Sequence, residues 1–130
     1  MRKPLLLSLL LAAGPALADG PGPNLVIEVA GEAEGTIVID LREDLAPKHV
    51  EQITTLAERG DYDGVVFHRV IEGFMAQTGD VEFGRLGQDM RRAGQGGSDL
   101  GTIEAEFSSE PFERGVVGMA RAANPDSANS

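Results

Sequence analysis

The sequence contains no cysteine and no tryptophan, and only one tyrosine and two histidines in 130 residues. Without cysteine the chain has no disulfide framework and no thiolate chemistry. Two histidines with no cysteine beside them are too few for a structural zinc site, and no cofactor is implied. Cations are also scarce: 11 Lys and Arg stand against 21 Asp and Glu, a net charge of −10. Such a chain repels nucleic acid and anionic membrane surfaces. Beyond the first 18 residues, no apolar run approaches the roughly 20 residues that a membrane span requires.

The one apolar run lies at the start. Arg2 and Lys3 precede Leu5 to Leu11, which is broken only by Ser8, and Ala16-Leu17-Ala18 follows. A positive start, a short apolar stretch and a small-x-small site make a secretory signal peptide of residues 1–18. The stretch is too short for an anchor, and Gly14-Pro15 interrupts it. The mature chain is therefore expected to be exported, free of the membrane after cleavage, and more acidic still once Arg2 and Lys3 are gone.

Residues 19–24 are rich in Gly and Pro and read as a flexible lead-in. The length that remains suits one domain, 25–130. Leu25 to Val29 and Thr36 to Leu41 are rich in β-branched residues, and GEAEG between them can reverse the chain, so a hairpin is predicted. Pro47 to Arg59 reads as a helix. Pro47 suits the first helical position, and Val50, Ile53, Leu56 and Ala57 form an apolar stripe. Gly60 can end the helix in a left-handed conformation. Lys48, Glu51 and Glu58 should face solvent, and His49 is expected to be solvated as well.

Val65 to Ile71 and Phe74 to Thr78 read as two further strands joined at Glu72-Gly73. Alternation puts Phe67, Arg69 and Ile71 on one face, with His68 and Val70 on the other. His68 is therefore read as structural. Residues 80–101 form a long Gly-rich polar loop, functional or mobile, since structureless loops of this length are uncommon. RRAGQGGSDLG within it lacks the Lys and the strand-to-helix setting of a phosphate loop. Thr102 to Phe107 and Val116 to Ala120 read as strands. Six strands and one helix predict a small antiparallel barrel or sandwich.

Arg69 and Gln77 fall within apolar strands, where such side chains are seldom found without a partner. From the pattern alone, Arg69 fits a partly buried ion pair with one of the many carboxylates, and Phe74 and Met75 read as core. The surrounding stretch, FHRVIEGFMAQTGD at 67–80, resembles the cyclophilin family of peptidyl-prolyl cis–trans isomerases nearly throughout. It departs at Glu72, where Pro is common. Gly115 to Ser130, GVVGMARAANPDSANS, is similar to a second family segment, and its Met-Ala-Arg form resembles exported bacterial members. The helix after Ala46-Pro47 and Tyr62-x-Gly64-x-x-Phe67-His68 fit as well.

The resemblance implies a mostly β fold: a cyclophilin-like closed antiparallel barrel with a capping helix. The barrel is expected to be incomplete, because the family continues past the position of Ser130 with Gln-Phe-Phe and further strands. It implies a catalytic Arg69, with Phe74, Met75, Gln77, Ala120, Arg121 and Ala122 binding substrate. Arg121 stands where Asn is frequent in the family. The implied partners are proline-containing peptides and unfolded protein segments, bound by a monomer, and the implied location is the periplasm.

The chemistry matches these residue types. X–Pro isomerisation is slow because twisting the amide loses resonance, at a barrier of roughly 20 kcal/mol. No bond to a nucleophile forms and no metal is required. A catalyst must bind the twisted amide more tightly than the planar one. Twisting localises a lone pair on the prolyl nitrogen, and a fixed guanidinium can donate to it. A second expectation, of a different class, is a non-catalytic proline-binding or chaperone-like module, or an inactive fragment.

Overall fold

The computed structural model describes residues 20 and 22–130; the expected signal peptide lies outside the described residues. Strand β1 (Asn24–Val29) pairs antiparallel with β2 (Gly35–Asp40), from Asn24 opposite Asp40 to Val29 opposite Gly35. Leu25, Ile27 and Val29 turn one half-buried face inward, and Asn24, Val26 and Glu28 face out. This is the predicted hairpin, with β1 one residue longer at its start and β2 shifted back by one.

Helix α1 (Pro47–Glu58) also forms as predicted, with Pro47 in its first turn. A helix normally leaves its first N–H groups unpaired. Here Pro47 has none, and the amides of Lys48 and His49 both donate to the Glu106 carboxylate at 3.1 Å. A carboxylate near 106 thus caps a helix starting at 47, favourably placed for the helix dipole. At the other end, Gly60 takes φ +74. Its N–H donates to Ala57 O while that of Asp61 donates to Leu56 O, a Schellman closure. Lys48, Glu51 and Glu58 are exposed as expected.

His49 corrects the expectation of a solvated side chain. It is buried, and its Nδ1 lies 2.6 Å from Glu106 Oε2. Sequence spacing could not reveal this, because the covering segment lies 57 residues away.

The second hairpin is shorter than predicted. Strands β3 (Arg69–Ile71) and β4 (Met75–Gln77) pair with Arg69 opposite Gln77 and Ile71 opposite Met75. Phe74 lies in the connecting turn rather than in the strand, where its N–H donates to Ile71 O. Val65 meets Arg85 in an isolated bridge and is not continuous with β3.

Neither 102–107 nor 116–120 is a strand; only Ile103 forms a bridge, with Ala128. β-branched composition makes a segment fit for a sheet but supplies no partner, and strands are stabilised by the neighbours they pair with. Among the described residues the strands form two separate two-stranded sheets and no closed barrel. The buried apolar core there is Leu56 on α1 with Ile103 and Ala128. Gln52 holds this arrangement from the helix, donating to Gly101 O at 2.9 Å and to Asn129 O at 2.7 Å.

Candidate functional site

The hairpin of β3 and β4 places Arg69 and Gln77 on one face, since directly opposed residues project the same way. Arg69 is exposed and makes no ion pair among the described residues, so the strand-pattern expectation of a carboxylate partner is not met. Met75 and Gln77 are half-buried, and Phe74 is 75% exposed at the turn. Phe74 is therefore not core, contrary to the reading of its apolarity alone. Beyond β4, Thr78 Oγ1 donates to Val66 O at 2.9 Å and fixes the base of the hairpin.

Ala120, Arg121 and Ala122 are exposed in a stretch that is neither helix nor strand. Their backbone is held from below. The Ala122 N–H donates to Ser127 Oγ at 2.8 Å, and Ser127 Oγ in turn donates to Asn124 O at 2.6 Å. Asp126 accepts from the Ala105 N–H at 2.8 Å, and Ala128 bridges Ile103. Arg121 Nη1 donates to Ala122 O at 2.9 Å. The two groups of predicted site residues thus sit on separately braced segments. Among the described residues no hydrogen bond or ion pair joins one group to the other.

Two clefts lie elsewhere among the described residues. One of about 400 Å³ runs between α1 and residues 100–104, with Gln52, Thr55 and Ile103 in its wall. A second, of about 190 Å³, lies among Arg59, Arg85, Glu82 and Ser98. No predicted site residue lines either cleft.

The 80–101 loop is ordered around a residue that motif reading left without a role. Asp80 is 5% exposed and accepts four backbone N–H groups. Glu82 and Phe83 donate to Oδ1 at 3.0 and 2.8 Å; Gly94 and Gly96 donate to Oδ2 at 2.7 and 3.0 Å. Burial pushes this carboxyl up, but the four amide donors outweigh burial and hold it below its ordinary value. Gly94 has φ +89, and a Cβ there would stand 2.8 Å from His68 Nε2. His68 thus packs against the loop, consistent with a structural role. The loop is further held by Arg92, whose guanidinium lies 3.6 Å from the Phe83 ring centroid. The signal for Asp80 was a carboxylate just ahead of a Gly-rich stretch, whose amides are free to converge on it.

Glu106 is the other unforeseen anchor. Burial pushes it up, while His49 and the amides of Lys48 and His49 outweigh burial and bring it below its ordinary value. Lys48 and Glu104 pair beside it at 2.5 Å. Among the described residues no cluster of side chains could hold a metal.

The family model described as "Cyclophilin type peptidyl-prolyl cis-trans isomerase/CLD" matches residues 25–130. A Brucella suis protein named "Probable peptidyl-prolyl cis-trans isomerase" is 61% identical over 121 residues, covering 92% of this chain and 60% of its own length. A Brucella abortus protein of the same name is 60% identical over the same shares. A Staphylococcus haemolyticus protein whose name carries the same activity is 41% identical over 92 residues, covering 68% of this chain and 42% of its own. The chain therefore spans about 60% of the length of the Brucella relatives it matches. No solved structure matches it.

Proposed function

Because the chain belongs to the cyclophilin-type peptidyl-prolyl cis–trans isomerase family, we propose that it accelerates rotation about X–Pro bonds in extended or unfolded protein segments. The observation that carries this reading is the pairing of Arg69 with Gln77 on one face of a short hairpin, next to Met75 and the exposed Phe74. In this reading Phe74 and Met75 grip the proline ring. Arg69 donates to the prolyl nitrogen as the amide twists. Gln77 accepts from Arg69 and donates to a substrate carbonyl, which its amide allows. Ala120 to Ala122 hold the residue before proline through their backbone.

An acceleration of about 10⁵ requires about 7 kcal/mol of barrier reduction. One preorganised donor supplies roughly 3–4 kcal/mol, by analogy with oxyanion-hole donors. Gripping the proline and excluding water must supply the rest. Arg suits the role because it stays charged and presents a rigid fork of donors.

The closed barrel belongs to the same proposal. The outer edges of both two-stranded sheets, unpaired among the described residues, are where such a barrel would close. Export to a periplasm is proposed on the pattern of residues 1–18, and action as a monomer on the family resemblance.

One observation favours the second reading, a proline-binding module without turnover. The Arg69 side chain is exposed and no hydrogen bond fixes it among the described residues, whereas catalysis needs it held. Exchange spectroscopy on an X–Pro peptide separates the two. The isomerase reading expects fast exchange that falls about 10²- to 10³-fold on Arg69→Ala, with peptide binding largely kept. Equal exchange rates for wild type and variant would remove Arg69 from catalysis, and binding without faster exchange would establish the module.

A further inference from the structure

In a chain this acidic, cations find partners easily, and most of the described ones have done so. Arg42 pairs with Asp44, Lys48 with Glu104 and His49 with Glu106. Arg59 pairs with both Asp61 and Asp99, and Arg91 with Asp89. Arg85 donates to the carbonyls of Asp61, Asp63 and Val81, and Arg92 lies on Phe83. Three exposed arginines remain without a carboxylate or an aromatic face among the described residues: Arg69, Arg114 and Arg121. Two of these three stand on the segments assigned to the substrate.

Arg69 already has work there. Arg121 does not, and its position is specific. Its neighbours Ala120 and Ala122 carry no polar side chain, so it is the one charged group on the segment that holds the residue before proline. It spends one of its five N–H donors on Ala122 O at 2.9 Å, which folds the guanidinium back over that segment. The other donors are free to form a paired bond with a carboxylate. From this we propose, resting on the isomerase reading above, that Arg121 selects substrates with an acidic residue immediately before proline. Glu-Pro and Asp-Pro segments would be preferred, and Lys-Pro and Arg-Pro segments disfavoured by like charge.

The test uses the full chain and two peptides that differ only at the residue before proline, Ala-Glu-Pro-Phe and Ala-Lys-Pro-Phe. Their catalysed exchange is measured by NMR, each normalised to its own uncatalysed rate, at low and at high salt. Exposed pairs of this kind change an equilibrium about two- to fivefold, so a Glu-over-Lys preference of at least that size is expected at low salt. It should shrink as salt rises. Arg121→Gln should bring the ratio close to one, Arg121→Lys should restore part of it, and Arg114→Gln should leave it as in wild type. A ratio at or below one in wild type, or a ratio unmoved by Arg121→Gln, overturns the proposal. If neither peptide is accelerated, the isomerase reading fails, and the affinities of the two peptides decide this one: an Arg121-dependent preference for Glu upholds it, and equal affinities reject it.

Discussion

Arg69 stands directly opposite Gln77 in the ladder of β3 and β4, so the guanidinium and the amide share a face without being adjacent in sequence. If the amide orients the guanidinium, their losses will differ in size. An orienting hydrogen bond formed on substrate binding would be worth about 1 kcal/mol, so Gln77→Ala should lower kcat/KM about fivefold. Arg69→Lys keeps the charge but loses the fork, and should fall at least tenfold further. NMR exchange on an Ala-Pro peptide measures both. If Arg69→Lys retained full activity, a point charge would suffice and the directed donor would be excluded.

Glu106 makes stability sensitive to acid. Its carboxyl lies below its ordinary value in the folded chain. A group depressed in this way contributes stability that is complete above its unfolded pKa and disappears as pH falls through the folded one. The loss should therefore begin near pH 4.3 and deepen below it. Glu106→Gln should cost about 2 kcal/mol at pH 7, because three hydrogen bonds lose their charged acceptor. By pH 3 the gap should have narrowed, since protonation of the wild-type carboxylate, first in the unfolded chain and then in the folded one, removes its advantage. Urea unfolding at the two pH values reads this directly, and a gap that stays constant would show that the charge is not what matters.

Asp80 offers a parallel test on the loop. Asp80→Asn leaves one oxygen where four amides need two, and should cost about 3 kcal/mol. Gly94→Ala attacks the same arrangement from the other side. It places a side chain at φ +89, which costs roughly 1–2 kcal/mol, and sets a methyl against His68. Both variants should speed hydrogen exchange at Glu82, Phe83, Gly94 and Gly96 together. Exchange that rose at Gly94 and Gly96 alone would mean that the two ends of the loop are held independently.

What could be read from the sequence was whatever depends on near neighbours. Pro47, the stripe from Val50 to Ala57 and Gly60 define a helix within 14 residues, and it forms where expected. The hairpin of β1 and β2 needs only the turn between its strands. What escaped depends on distant partners. His49 has the spacing of a solvent-facing residue until Glu106, 57 positions on, covers it. Asp80 acquires its role from amides 14 and 16 residues away. The stretches at 102–107 and 116–120 carry strand-like residues, but only Ile103 finds a bridging partner among the described residues. The candidate site divides in the same way: the hairpin places Arg69 against Gln77 locally, whereas joining it to Ala120–Ala122 requires contacts that composition does not encode.

The Asp80 knot has a consequence for engineering. Leu86 is tied to Gly64 O on one side and Gly94 to the Asp80 carboxylate on the other, so the residues between them form an excursion with clamped ends. Closing such an excursion costs only about 0.6 kcal/mol more for each doubling of its length. Residues 87–89 therefore make a natural graft point, where a reporter peptide or an affinity tag can be spliced into the chain while its two anchors stay in register.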